Sequence, residues 1–418
     1  MHHLLKATAV VSFAALLASC AGGSNSALPS SSTGSSPQST YRTASANTVR
    51  GSFARVCGAP APGTAACHAL IRTDAAANGT SGPTGYNPAD IQSAYALPSS
   101  TAGAGQTVAI VDAYDDPKAE NDVNVYRSQF GIPACTTANG CFKKVNQSGV
   151  QGSYPRGNGG WAQEISLDLD MVSAVCPNCH ILLVEASSSS LTNLGSAVNT
   201  AAKLGANAIS NSYGGGESSS DTSYDSSYYN HPGVAITVSS GDGGYGVEYP
   251  AASQYVTAVG GTSLKKSSTA RGWTETVWNT SSTEGAGSGC SAYDPQPSWQ
   301  SAVAALKAVC SKRAVADVSA VADPYTGVSI YDSYSYQGQS GWMVFGGTSV
   351  ASPIIGSVYA LAANESSVTY GSYSYSHTSS LNDVTSGSTA SCGNVLCTAA
   401  AGWDGPTGNG TPNSTGAF

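Results

Sequence analysis

Ser349 stands in Gly346-Gly-Thr-Ser349-Val-Ala-Ser-Pro353, just ahead of an apolar run from Ile354 to Ala363. Proline fits the first turn of a helix, so the spacing predicts Ser349 at or just before a helix N-terminus. Helix-end N–H groups there stabilise a developing oxyanion. An N-cap serine is the plain alternative, but the flanking glycines and alanine leave room for a substrate backbone. Glu164 and Asp168 lie four residues apart in Ala162 to Val175, where Ile165, Leu169, Val172 and Val175 recur at helical spacing. The two carboxylates share one helix face and repel, unless they share a proton or one orients the other as a base. A solvated face is the competing reading. Asp170 lies off that face and is expected to meet solvent or support the helix dipole.

Asp242 follows a strand pattern within Ser239-Ser-Gly-Asp242-Gly-Gly244. It can be a turn former. An ionised aspartate repels an oxyanion, whereas a protonated one donates a hydrogen bond to it, a role that requires acid or a raised pKa. The segment Ala208 to Gly216 runs into Ser212-Tyr213-Gly214-Gly-Gly216, bare backbone suited to pairing with an extended peptide. A phosphate loop would need a Lys-Ser/Thr ending that is missing here.

Taken in this order, the four pieces resemble the sedolisin (serine-carboxyl peptidase) family across residues 86 to 410. The resemblance implies a subtilisin-like fold and an acid-active endopeptidase that hydrolyses proteins or peptides through an acyl-enzyme. Ser349 attacks, Glu164 takes the place a histidine holds in subtilisins, Asp168 supports it, and Asp242 serves the oxyanion. Ser212, Tyr213 and Gly214 would bind the substrate backbone. The family also carries one structural calcium ion. Its implied ligands are the carboxylates of Asp383 and Asp404 and the carbonyls of Val384, Ala400 and Gly402, hard oxygen donors that suit calcium. Ala400 replaces the glycine usual in relatives, which a carbonyl ligand tolerates if φ is negative.

The acid chemistry also follows from the residue types. A carboxylate titrating near about 4.3 serves as base where an imidazole would already be protonated. A classical subtilisin is the near alternative. Asp112 resembles its aspartate position, but no histidine follows in a fitting context, and His180, His231 and His377 read as structural or exposed. A different class is a non-catalytic surface lipoprotein binding peptide or polysaccharide through the loops Tyr224 to Tyr229 and Tyr331 to Tyr336.

Positioning these groups falls to an alternation of strands and helices. Apolar strand runs are expected at Thr107 to Asp112, His180 to Glu185, Ala208 to Ser212, Gly233 to Val238 and Tyr255 to Val259. Helices are expected at Ala162 to Val175 and Leu191 to Leu204. Such alternation predicts an α/β fold, a doubly wound and mostly parallel sheet with helices on both faces, with sites at the carboxyl ends of the strands.

Residues 1–19 read as a signal peptide: His2, His3 and Lys6 precede an apolar run too short to span a membrane. Leu17-Ala18-Ser19-Cys20 resembles a bacterial lipobox, which implies lipid on Cys20; ordinary cleavage would instead release a secreted protein. Residues 20–50 form a Ser-rich tether, 51–85 a short pre-domain segment, and 86–418 the peptidase domain. Relatives usually have a large prodomain, so any inhibitory role would fall to Gly51 to Gly85. Setting Cys20 aside leaves ten of the eleven cysteines, an even number suited to an oxidising compartment. They fall as sequence neighbours: 57 with 67, 135 with 141, 176 with 179, 290 with 310, and 392 with 397. Cys176 and Cys179 fit a structural disulfide better than a redox pair. A net charge of −8 argues against nucleic-acid partners, and the protein is expected to act as a monomer. Charged residues are only 10% of the chain, a surface that repels itself little when its acids protonate.

Overall fold

The computed structural model describes residues 53–74 and 82–418. The signal, lipobox and tether readings, Cys20 included, lie outside the described residues. The described chain opens on three short strands, β1 (Phe53–Arg55), β2 (Ala66–Cys67) and β3 (Leu70–Arg72). Helix α1 (Pro88–Ala94) follows, started by Asn87, whose side chain accepts the Asp90 N–H while Asp90 returns the bond.

The central sheet is built from β4 (Thr107–Ala113), β5 (Phe142–Asn146), β6 (His180–Ala186), β7 (Ala208–Asn211) and β9 (Ala235–Ser239). Between the last two lies β8 (Tyr213–Gly216), which leaves the sheet. Past Glu248–Tyr249 (β10) come β11 (Thr257–Lys266), β12 (Trp273–Val277) and β13 (Val318–Val321). The eight-stranded order is β12-β11-β9-β7-β4-β6-β5, with β13 also on β11. Only the β11–β12 pairing is antiparallel. A hairpin of β14 (Val328–Tyr336) and β15 (Gln339–Gly346) forms a separate sheet.

Parallel strands buried on both faces read as continuous apolar runs, and Val108 to Val111 have no exposed surface. Helices α2 (Ala119–Gln129), α3 (Gly159–Val175), α4 (Leu191–Lys203) and α5 (Thr348–Ala362) cover the sheet. Helix α3 packs against α1, α2, α5 and β14, and α4 lies against β4 and β6. This is the α/β, mostly parallel sheet with covering helices expected from the sequence. Enclosure of α3 overturns one expectation. Asp170 does not meet solvent; it is fully buried, and its Oδ2 accepts the Tyr331 N–H at 2.8 Å. The five disulfides join the neighbour pairs expected.

The segment before Tyr86 is tied into the body rather than lying apart from it. β1 pairs antiparallel with β3, β3 with β15, and β2 with β8. Among the described residues no helix is long and apolar enough to cross a membrane.

Candidate active site

Helix α5 begins at Thr348, with Gly347 as its cap at φ +95°, a conformation costly for any side chain. Ser349 therefore sits inside the first turn, and Pro353 falls in the second turn rather than the first. Lacking an N–H, Pro353 leaves the Ser349 carbonyl without its intrahelical donor. The Ser212 hydroxyl stands 3.4 Å from that oxygen. The Ser349 hydroxyl donates to the Ser212 carbonyl at 3.2 Å.

Glu164 and Asp168 project from α3, which the Asn158 side chain starts by accepting the Trp161 N–H. Both are fully buried, as are Ser349 and Asp242. Neither Glu164 oxygen makes a hydrogen bond of normal geometry. Its pKa is held well above the ordinary range by burial, then by the Asp168 and Asp112 carboxyls, while the nearby Ser349 hydroxyl favours the charged form. Contacts between a serine and a candidate base are often loose until substrate tightens them. Asp168 is likewise raised by burial and eased by the Ser212 hydroxyl, which donates to Oδ1 at 2.8 Å. Asp112, at the end of β4, has two unpartnered oxygens and is pushed up by burial, Asp168 and Glu185. Three buried carboxyls this close cannot all ionise, so they titrate as a set.

Asp242 follows β9. Its Oδ1 accepts the Thr348 N–H at 2.8 Å and the Thr348 hydroxyl at 2.9 Å. Its Oδ2 has no partner. Burial raises its pKa, while His68 and Arg55 pull it down. A Cβ placed on Gly347 would lie 2.7 Å from that Oδ2 and 1.8 Å from the His68 carbonyl oxygen. The free oxygen of Asp242 and a peptide carbonyl thus face the same spot beside Ser349.

The structure brings together Ser349, Glu164, Asp168, Asp242 and Ser212. It also places the backbone of Tyr213 and Gly214 alongside, but their edge is occupied by Ala66 and Cys67. The three histidines weighed in the sequence lie elsewhere. His231 is bonded to Asn199 at 2.8 Å, His377 stacks on Tyr373 at 3.9 Å between ring centres, and His180 is exposed. Sequence reasoning missed His68, whose Nε2 lies 2.9 Å from Glu248 Oε2 and whose ring is near Asp242, and it missed Glu248 itself. Their roles depend on which strand pairs with which, and only the Cys67 next to His68 hinted that this stretch is anchored.

The second candidate site lies in the C-terminal loops. Asp383 Oδ2 accepts the Gly402 N–H at 2.9 Å, and Asp404 Oδ2 accepts the Ala400 N–H at 3.1 Å. Asp404 is pushed up to about 7, chiefly by burial, with Asp383 adding to the shift. Neither has an ion-pair partner among the described residues. Asp404 Oδ1 also accepts the Thr407 N–H at 3.0 Å and its hydroxyl at 2.8 Å, and the two acids offer the hard oxygen donors that calcium takes. Ala400 has no positive φ, so its side chain is tolerated. A separate group of acids, Glu217, Asp221 and Asp294, holds carboxylate oxygens within 4.8 Å of one another; no motif or spacing announces it.

The sequence matches the subtilase family over residues 141–394. The chain belongs to that family. Its relatives place it within the sedolisin branch. It is 31% identical to kumamolisin of Bacillus sp. (strain MN-32) over 304 residues, covering 66% of this chain and 52% of that protein. It is 29% identical to sedolisin of Pseudomonas sp. (strain 101) over 363 residues, covering 78% and 60%. Among solved structures it is similar to Pseudomonas sedolisin, a serine-carboxyl proteinase complexed with two molecules of pseudo-iodotyrostatin. That match has a TM-score of 0.66 and 28% identity, and covers 79% of this chain and 96% of that one. The chain spans between half and two thirds of the length of these two sequence relatives.

Proposed function

We propose that this chain is an acid-active serine-carboxyl endopeptidase acting on proteins or peptides. The observation that carries the reading is a buried carboxyl, Glu164, beside the Ser349 hydroxyl, where a histidine-based enzyme would hold imidazole. In the reaction, Ser349 Oγ attacks the scissile carbonyl and its proton passes to Glu164. Asp168, steadied by Ser212, and Asp112 hold the two protons that the three-carboxyl set retains, so that a single negative charge is available at Glu164. Protonated Asp242 donates from Oδ2 to the forming oxyanion, joined by the first-turn N–H of Ser349. Glu164 then protonates the leaving amine, and water releases the acyl group from Ser349.

Two protonation conditions bound the activity. The carboxyl set must have lost one proton, and Asp242 must have kept its own. Ser212, Tyr213 and Gly214 offer backbone to an extended substrate. Asp383 and Asp404, with the carbonyls of Val384, Ala400 and Gly402, would hold one calcium ion, which crosslinks the C-terminal loops. Five disulfides support an oxidising compartment. An exported protein, secreted or tied to the membrane only by a lipid on Cys20, fits that chemistry.

The test is casein hydrolysis by the purified protein across pH 3 to 9, with Ser349→Ala as control. Activity confined to acid and lost in the variant is expected. Turnover only in alkaline buffer, or activity surviving in Ser349→Ala, refutes the assignment.

A further inference from the structure

Four acids gather where the chain leaves β8. Glu217 directly follows that strand, Asp221 and Asp225 open the two short helical turns Asp221–Tyr224 and Asp225–Tyr229, and Asp294 stands near the end of the strand Glu284–Pro295. Carboxylate oxygens of Glu217, Asp221 and Asp294 lie within 4.8 Å of one another. Opposite ligands of a calcium ion are separated by about 4.6 to 5.2 Å, twice its bond length to oxygen, so this spacing suits one shared ion. None of the four acids forms an ion pair among the described residues.

Two of them are satisfied locally. Glu217 accepts the Ser291 hydroxyl and the Ala292 N–H, the latter at 3.2 Å, and Asp221 accepts the Ser218 N–H at 2.7 Å and its hydroxyl at 2.8 Å. Asp294 is different: it has no exposed surface, and neither of its carboxyl oxygens has a hydrogen-bond partner. Asp225, outside the group of three, adds another orphan. It is 1% exposed, its Oδ1 accepts the Tyr249 hydroxyl at 3.0 Å, its Oδ2 has no partner, and its carboxyl faces that of Asp294. Buried carboxyls without donors must be neutralised, by a proton or by a cation.

A proton shared between Asp225 and Asp294 is the plain alternative. It serves one pair and leaves Glu217 and Asp221 crowding the same point. Arg313 is near enough for Asp294 to act on it, but its five N–H donors are already bonded to the carbonyls of Ser253, Ala314 and Val256 and to both oxygens of Asp317. Burial, reinforced by the neighbouring carboxyls, pushes Glu217 up to about 7, Asp221 to about 6 and Asp294 to about 9. Every ligand atom of the group is a carboxylate oxygen, which selects a hard cation, and enclosure favours calcium over magnesium, which keeps several waters.

We infer that Glu217, Asp221 and Asp294 bind one calcium ion, with Asp225 as a fourth acid beside Asp294, and that this ion ties the chain leaving β8 to the strand Glu284–Pro295. The site shares no residue with Asp383 and Asp404 and does not depend on the catalytic reading. Gly216, just before Glu217, pairs with Glu248 on β10, so the ion braces β8 at its carboxyl end.

The test titrates calcium chloride into the full chain carrying Ser349→Ala, after dialysis against chelator at pH 7. Calorimetry reads the affinity, and atomic emission counts the bound metal. An ion that survives Asp383→Asn but binds at least about tenfold more weakly in Asp294→Asn and in Asp221→Asn is expected. Glu217→Gln, on the half-buried side of the site, should give the same loss without altering an enclosed position. Binding should release protons, and the affinity should fall by about tenfold or more between pH 7 and pH 5, as Glu217, Asp221, Asp225 and Asp294 take protons up. Arg313, Tyr229 and Tyr249, the other titratable groups beside them, keep theirs throughout. An unchanged Tm at pH 4, where the acids are neutral in every variant, shows that a lost ion is not a lost fold. Calcium binding unaltered by Asp294→Asn, Asp221→Asn and Glu217→Gln overturns the inference. So does the absence of any bound ion in Asp383→Asn, which would leave the shared proton as the neutralising group.

Discussion

Replacing Asp332 by asparagine should make the protein more stable, but only away from acid. Asp332 lies on β14 with no exposed surface; its Oδ1 accepts the Tyr334 N–H at 2.7 Å, and its second oxygen faces the Asp122 carboxyl. Burial, followed by the Asp116 carboxyl, pushes its pKa up to about 8. An unfolded aspartate titrates near about 3.9. The folded state therefore keeps a proton that the unfolded chain releases between those values. Its contribution is fully present below about pH 4 and is lost as pH rises toward 8. At pH 7 the gap is about three units, or about 4 kcal/mol. Local relaxation reduces this to about 2 to 4 kcal/mol. Asparagine keeps the acceptor, offers an N–H toward Asp122 as the protonated acid does, and cannot ionise. In a Ser349→Ala background that prevents self-digestion, scanning calorimetry should give the Asp332→Asn variant a Tm about 5 °C higher at pH 7 and little change at pH 4. An equal shift at both pH values, or a loss at pH 7 alone, would refute the reasoning, since either means the site does not favour a protonated carboxyl.

Three further outcomes are expected. Glu164→Gln should reduce casein kcat/KM by at least a thousandfold at the acid optimum with an unchanged Tm at pH 4; a variant retaining a tenth of the activity would move the base elsewhere. Chelation should lower Tm by about 5 °C, corresponding to about 2.7 kcal/mol for an ion present at a hundred times its Kd. Calcium should restore it, Asp383→Asn should abolish the response in a chain already carrying Asp294→Asn, and a Tm blind to chelator would remove the metal from this loop. Replacing Cys290 and Cys310 by serine opens a link of sequence separation 20 and should cost about 3 kcal/mol by the loop-closure estimate, read as a lower urea midpoint.

The sheet and its main helices were legible because their residues obey simple periods. Val108 to Val111 are apolar without interruption, as a strand covered on both faces requires, and α3 carries its apolar residues at three and four. Asp170 was misread for a physical reason. The apolar stripe identifies one buried face, but α3 is enclosed on every side, and the partner of Asp170 is the N–H of Tyr331, 161 residues away. The strands at Phe53–Arg55, Ala66–Cys67 and Leu70–Arg72 are two or three residues long, too short for a period of two to register. They are held by edges supplied from β8 and β15, so nothing local announces them. His68 and Glu248 share that origin: each is an ordinary polar residue until the pairing of β2 on β8 and of β10 on β8 sets them side by side. The motif glycines, by contrast, signalled close backbone approach in advance, and Gly214 and Gly347 lie against the His68 ring and carbonyl.

The buried acids bind fold and chemistry to one condition. Asp112, Glu164, Asp168, Asp170, Asp242 and Asp332 are all fully enclosed, yet none of them forms an ion pair among the described residues. Burying an unpaired carboxylate is expensive, while burying the neutral acid with a hydrogen bond costs far less. Raising the pH therefore charges the interior at the same time as it strips Asp242 of the proton it would donate to an oxyanion. A histidine-based hydrolase loses activity in acid because its base is protonated while its core is indifferent. Here the interior itself is built for protons, so the proposed catalysis and the folding would meet their alkaline limits for a common cause.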